Sequence, residues 1–171
     1  MKSRRVYEYI AVLKYLENEY KRPIKLTEIS EIMRVKPSSA HEYIEKLVSK
    51  RYIEKVGRGK YRVSPEGEKK LLYRQWVHGV IETYLHEILG VDIETACEIA
   101  SKIDYIMPLD VVEKLCSFLG HPTKCPHNQD IPHRGEKIPD TRYMSCFISN
   151  ILNKENKKKR SHESSKRSSR I

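Results

Sequence analysis

The alternation of apolar and polar positions divides the chain into short helical segments, one β-like hairpin and a polar end. Val6, Ile10, Leu13 and Leu16 recur at helical spacing and predict a first helix over about residues 5–19, ended by the turn Lys21-Arg22-Pro23. A second short helix is expected from Thr27, whose hydroxyl can cap it, with Ile29, Ile32 and Met33 turned inward. After the tight turn Arg34-Val35-Lys36-Pro37 a third helix carries Ala40, Ile44, Leu47 and Val48 on its inner face, spaced i, i+4, i+7, i+8.

The period then changes. Tyr52-Ile53-Glu54-Lys55-Val56 and Lys60-Tyr61-Arg62-Val63 read as two short strands about a basic tip, Gly57-Arg58-Gly59. Ser64-Pro65-Glu66 opens a long helix, with Ser at the cap and Pro in the first turn. Its second half carries a wide apolar stripe from Val77 through Leu89, and Gly90 stops it. Asp92 caps a further helix through about Met107, and Pro108 opens a last one closed by Gly120. Cys125-Pro126-His127 and Ile131-Pro132 look like an ordered, Pro-rimmed loop. A weak apolar patch at 143–152 could form a short helix, and the Lys- and Ser-rich segment 153–171 has no apolar period and reads as disordered.

Helix, short helix, tight turn, helix and basic hairpin, in that order, make a winged helix-turn-helix. Domains are therefore expected at 1–64 (DNA binding), 65–132 (helical) and 133–171 (a basic, largely disordered tail). Charge sharpens this. The formal net charge is +10, and residues 133–171 hold 11 Lys and Arg against four Asp and Glu, leaving 22 against 19 on residues 1–132. A basic chain favours polyanions. The tail then acts either as an electrostatic arm on DNA or as a solvated end. No apolar run is long enough for a membrane span and no secretory signal is visible, so a cytoplasmic protein with no membrane partner is expected. The four cysteines read as reduced thiols.

In a winged helix the exposed face of the third helix reaches base edges. Here it offers Ser38, Ser39, His41, Glu42 and Tyr43: hydroxyls for phosphates, an imidazole for a base acceptor, a carboxylate for cytosine N4. Lys36 and Lys46 can supply phosphate contacts, with Lys50 and Arg51 beside them, and the tip residues Arg58 and Lys60 suit the backbone or minor groove. The same polar face also fits an ordinary solvated helix or a protein-interaction module.

His78 and Glu82 lie at i, i+4 on the long helix, and Cys97, Ser101 and Asp104 share one face of the next. A short turn makes these helices antiparallel neighbours. Imidazole, carboxylate and thiolate then meet as a candidate site for a divalent transition metal, to which Glu8 of the first helix could add a carboxylate. By spacing alone, a surface His–Glu pair and a buried cysteine fit as well. A zinc hydrolase is disfavoured: no general base or substrate pocket accompanies the set.

From Tyr7 to Pro132 the chain resembles the DtxR/MntR family of iron- and manganese-responsive repressors, in its two-domain form. The likeness is carried by Tyr7-Glu8-Tyr9-Ile10, Val35-Lys36-Pro37-Ser38-Ser39, Val77-His78-Gly79-Val80-Ile81-Glu82, the run from Ala96 to Leu115, and Cys125-Pro126-His127-Asn128-Gln129-Asp130-Ile131-Pro132, where Asn128 stands in place of a usual Gly. The resemblance implies a mainly α fold, a winged helix-turn-helix followed by an all-helical dimerisation and metal-binding domain. It also implies a homodimer on double-stranded DNA with a palindromic operator, and Fe²⁺, Mn²⁺ or Zn²⁺ as cofactor. It matches His78 and Glu82 to family ligands, Glu8 to a position held by Asp or Met, and Cys97 to an ancillary His. The family's Cys/Glu-x-x-Glu-His core reads Ser101-Lys102-Ile103-Asp104-Tyr105, and Ala11 replaces a carboxylate, so the main family site is depleted. Cys116, His121, Cys125 and His127 lack zinc-finger spacing and read as a structural loop. The expected function is a non-enzymatic, metal-responsive transcriptional repressor. The alternatives are a metal-independent regulator of the same fold and a charge-driven nucleic-acid-binding protein.

Overall fold

A computed structural model describes residues 3–133. The expectations for 143–152 and for the basic tail lie outside the described residues.

α1 (Arg4–Tyr20) ends where Lys21 turns left-handed (φ 52°) and returns its N–H to Glu17. It buries more of its circumference than the four-residue stripe predicts. Tyr7, Tyr9, Ala11 and Val12 are buried too, because α2, β3 and α4 all pack on it. α2 (Leu26–Met33) does not use Thr27 as its cap. The helix starts one residue earlier, and the Glu28 carboxylate accepts the Lys25 N–H at 2.8 Å. α3 (Pro37–Ser49) begins at Pro37, where a missing N–H costs nothing, and buries Ala40, Ile44 and Leu47.

Three strands follow the antiparallel order β1-β3-β2: β1 (Ile24–Lys25), β2 (Ile53–Gly57) and β3 (Lys60–Val63). β1 is a two-residue strand too short to carry a periodic signal. Ile53 pairs with Val63 and Ile24 with Tyr61, and a bulge at Lys55/Gly57 twists the hairpin end that carries Arg58. Glu17 Oε1 accepts the Val63 N–H at 3.1 Å and so joins α1 to the wing.

α4 (Pro65–Thr83) is capped by Ser64, whose Oγ accepts the Gly67 N–H at 3.0 Å. Leu71 closes the first core with Ile10, Leu13, Ile44 and Tyr61, and from Val77 the same helix lies in a second core with Ala100, Val112 and Ile131. At Tyr84–Ile88 the helix widens into a π-turn, with Leu89 N–H reaching Tyr84 O. The extra residue in that turn rotates the expected stripe away from the core, leaving Ile88 and Leu89 exposed. α5 (Ile93–Ile103) starts at the Asp92 cap and ends earlier than Met107, the chain breaking helix ahead of Pro108. α6 (Leu109–Phe118) stops at Gly120 (φ +70°). No described helix is long and apolar enough to cross a membrane.

Candidate metal centre and DNA-binding face

The i, i+4 spacing on α4 sets the His78 ring beside the Glu82 carboxylate, and α5, antiparallel to it, adds Cys97. His78 Nε2 lies 3.3 Å from Glu82 Oε2 and 3.6 Å from Cys97 Sγ. Ligand atoms of all three converge within 4.8 Å of one another. A tetrahedral zinc with bonds of ~2.3 Å to sulfur and ~2.0–2.1 Å to nitrogen or oxygen sets ligand edges of ~3.6 and ~3.4 Å. The two His78 separations match. Glu82 is fully buried, and its Oε2 makes no hydrogen bond beyond the 3.3 Å ion-pair approach of His78, so a cation there would compensate a buried carboxylate oxygen. The residues present therefore fit a divalent metal.

The opposite ring nitrogen of His78 is held from behind. Nδ1–H donates to Asp104 Oδ2 at 3.3 Å, which in the neutral ring leaves Nε2 as the lone-pair atom toward Glu82 and Cys97. Burial works against a charged His78, but Asp104 and Glu82 outweigh it and raise its pKa to about 9, so near neutral pH Nε2 carries a proton that a bound metal would displace. Burial likewise opposes the Glu82 charge, and the two histidines beside it hold the carboxyl below its ordinary range.

The second of those histidines is His127, which the helical spacings do not reach. A tight turn, with Asn128 N–H bonded to Cys125 O at 2.7 Å, swings the loop over α4. His127 Nδ1 then lies 2.5 Å from Glu82 Oε1 and Nε2 3.3 Å from Glu94. Glu82, Cys125 and His127 form a second convergent group sharing its carboxylate with the first. The signal was Cys-Pro-His itself, a thiol and an imidazole two residues apart. Cys116, His121, Cys125 and His127, read from the sequence as a structural loop, divide in space: the first two lie with His133.

Two predicted metal residues stand outside these groups. Glu8 Oε1 is bonded to Arg4 Nε at 3.0 Å and joins neither. Asp104 is a support for His78, its other oxygen paired with Arg74 at 2.9 Å. Arg74 also lies over the Tyr7 ring, 5.0 Å from its centroid. A continuous contact path thus runs from His78 through Asp104 and Arg74 to α1. Burial pushes the Tyr7 hydroxyl up to about 12 although Arg74 pulls the other way.

On the other domain Lys36, Ser38, Ser39, His41, Glu42 and Lys46 are exposed along the start and outer face of α3, and Arg58 and Lys60 are exposed at the wing. Lys46 is bonded to Glu42 at 2.6 Å, an i, i+4 pair on the surface. Tyr43 departs from expectation. Its ring stacks on Tyr9 at 4.6 Å between centroids and its hydroxyl is buried, because its position on α3 faces α1 and not solvent.

Residues 64–133 match the family described as iron dependent repressor, metal binding and dimerisation domain. A crystal structure of a hypothetical protein from Sulfolobus solfataricus is 31% identical with a TM-score of 0.72, over 77% of this chain and 99% of that one. The chain belongs to the iron-dependent repressor, or DtxR/MntR, family. Members of this family are DNA-binding, dimerising transcriptional regulators and not enzymes. An uncharacterized HTH-type transcriptional regulator of Methanocaldococcus jannaschii is 29% identical over 120 residues, covering 68% of this chain and 94% of its own. ScaR with bound Zn²⁺ is 27% identical with a TM-score of 0.69, over 80% of this chain and 63% of its own. The chain thus spans less than two thirds of that repressor's length.

Within the family the departures have physical readings. Ala11 is fully buried in the first core. Ser101 Oγ donates to the Cys97 carbonyl at 2.8 Å, a back-bond along its own helix. Asn128 takes φ 59°, a left-handed conformation that Asn tolerates better than other side chains, which explains how it replaces the usual Gly.

Proposed function

We propose that this chain is a homodimeric repressor whose hold on a two-fold symmetric operator is set by a divalent metal at His78, Glu82 and Cys97, bordered by Cys125 and His127. The observation carrying the reading is the convergence of His78, Glu82 and Cys97 ligand atoms within 4.8 Å of one another, with His78 Nε2 at tetrahedral ligand separations from Glu82 Oε2 and Cys97 Sγ. A set containing thiolate and imidazole is softer than manganese favours, so Zn²⁺ or Fe²⁺ is the fitting ion. ScaR, known as a manganese-activated repressor, has been crystallised with Zn²⁺ and with Cd²⁺, both thiophilic ions.

When bound, the metal supplies positive charge and fixed coordination geometry between α4 and α5. The protein's own part is to carry that order to α1 through Asp104, Arg74 and Tyr7. Residues 1–64 would bind DNA, with Lys36, Ser38, Ser39, His41, Glu42 and Lys46 at the major groove and Arg58 and Lys60 on the backbone. Residues 65–132 would dimerise. An isologous dimer presents two recognition helices, hence a palindromic site. Coordination by His78, Glu82 and Cys97 would favour the DNA-competent arrangement if that arrangement held the metal more tightly than the other.

The test is operator and random-duplex affinity of the full chain in chelator, then with Mn²⁺, Fe²⁺ or Zn²⁺ added singly. A gain of tenfold or more on operator, about 1.4 kcal/mol, abolished by His78→Ala, is the expected result. Tight operator binding in chelator, unchanged by every metal, sinks it. The Arg74–Asp104 pair favours that second reading, a metal-independent regulator, because a guanidinium already neutralises the one acidic residue left in the family's main ligand core.

A further inference from the structure

On the far side of the second core, α6 ends in a Schellman turn: Gly120 N–H bonds Ser117 O at 3.1 Å, and His121 N–H bonds Cys116 O at 2.9 Å. In this motif the residue after the left-handed position folds back over the third residue from the helix end. That juxtaposition here is not apolar; it brings the His121 ring onto the Cys116 thiol, with Nδ1 3.4 Å from Sγ. His121 itself adopts φ 58°. The chain then loops out and returns at Ile131, whose N–H bonds Thr123 O at 2.8 Å and whose side chain sits in the second core. Two residues on, His133 Nδ1 lies 4.0 Å from the same Sγ, and the two imidazole centroids are 6.0 Å apart.

Three ligand atoms from three separate backbone positions thus lie within 4.8 Å of one another. Their S···N separations of 3.4 and 4.0 Å bracket the ~3.6 Å edge of a tetrahedral zinc site. None of the three serves the His78 centre. They border a cleft of about 980 Å³, walled by Tyr73, Trp76 and Leu109.

We propose that Cys116, His121 and His133 bind a second, zinc-class divalent ion, its fourth position open to this cleft for water or a small anion. Bound metal would staple the segment carrying His133 to the end of α6. The assignment is independent of the His78 centre, and the two sites can be told apart by variant.

The full-length protein, stripped of metal, is titrated with Co²⁺ and then Zn²⁺, following bound metal per chain, thiolate-to-cobalt absorption and tryptophan emission. Trp76 is the sole tryptophan and walls the cleft. His121→Asn is the primary variant, since Asn accepts a left-handed φ at this exposed position and is a poor zinc ligand. Cys116→Ser is the second, with circular dichroism confirming its fold. The expected result is two ions per chain in the wild type. Each variant should lose one ion together with the Trp76 quench, whereas His78→Ala loses one ion and keeps the quench. The proposal is overturned if both variants bind as much metal as wild type with the same Trp76 response, or if the wild type binds one ion that His78→Ala removes.

Discussion

Arg74 Nη2 lies 2.9 Å from Asp104 Oδ1, with the arginine side chain 5% exposed and the aspartate 1%. An ion pair at that depth contributes little net stability, since desolvating both charges offsets most of their attraction, but losing one partner strands the other. Asp104 keeps the His78 Nδ1–H when Arg74 is lost, so Arg74→Met should cost up to about 3–5 kcal/mol in urea unfolding, and the double variant Arg74→Met/Asp104→Asn, which retains an oxygen for His78 but no charge, should recover part of it. A single variant costing under about 1 kcal/mol would mean that water reaches Asp104.

Gly79 is where the closing loop presses on α4. A Cβ there would come 2.6 Å from Ile131 Cγ1 and 2.9 Å from its Cδ1. Gly79→Ala should destabilise by about 1–3 kcal/mol through overpacking. Because Ile131→Ala removes both clashing atoms, the double variant should be more stable than the sum of the singles by at least about 0.5 kcal/mol. Additive losses in thermal or urea unfolding would place the strain elsewhere.

Legibility in the sequence followed the range of the interaction. The caps at Ser64 and Asp92, the helix start at Pro37 and the stops at Gly90 and Gly120 rest on local chemistry, and the structure has them where the sequence puts them. The His78, Glu82 and Cys97 grouping was legible because helical periodicity and one short turn suffice to place it. Arg74–Asp104 spans 30 residues and His127–Glu82 spans 45, so no periodicity encodes either. The π-turn at Tyr84–Ile88 hid for another reason: its residues keep a helical apolar pattern, and only the hydrogen-bond register changes. Tyr43 was misplaced because its ring reaches sideways from the inner stripe of four residues to stack on Tyr9 of α1.

Glu17 predicts a pH-dependent stability. Burial raises its carboxyl to about 7, although the Val63 N–H, Lys14 and Arg62 oppose the shift. The unfolded chain ionises this group near 4.5, so the folded state holds the proton more tightly. Its stabilising contribution is whole below about pH 4.5, falls as pH rises, and is gone above about 7, a loss of up to about 3 kcal/mol. Glu17→Gln should flatten urea midpoints between pH 4.5 and 7 and be the more stable protein at pH 8. Parallel profiles for both proteins would rule out Glu17 as the source.

Phe118 is 68% exposed and Leu89 57%, and the Phe118 ring lies 6.4 Å edge-on from Tyr84 at the π-turn. Large apolar side chains gathered at one end of a subunit mark an association surface, and the family dimerises. Phe118→Glu should convert the dimer to monomer in sedimentation at micromolar concentration, with helical content unchanged. A dimer persisting in Phe118→Glu and in Leu89→Glu would move the interface away from this end.

The residues proposed to face DNA separate by what they would touch. Arg58 and Lys60 are exposed at a bulged hairpin end with no base-reading geometry of their own, so their contribution should be electrostatic. Each Ala substitution should lower the slope of log affinity against log salt by about 0.9 for each phosphate left without its cation, equally on operator and random duplex. Ser39 and His41 are exposed on the first turns of α3, the turns proposed to enter the major groove. Their Ala variants should weaken operator binding by about 1–3 kcal/mol wherever a base-edge hydrogen bond is removed, with random-duplex binding nearly unchanged. Tyr43 is the control: with its hydroxyl turned into the Tyr9 stack, Tyr43→Phe should leave both affinities alone. A drop in operator affinity in Tyr43→Phe would put that hydroxyl on the DNA after all, and with it a different seating of α3 in the groove.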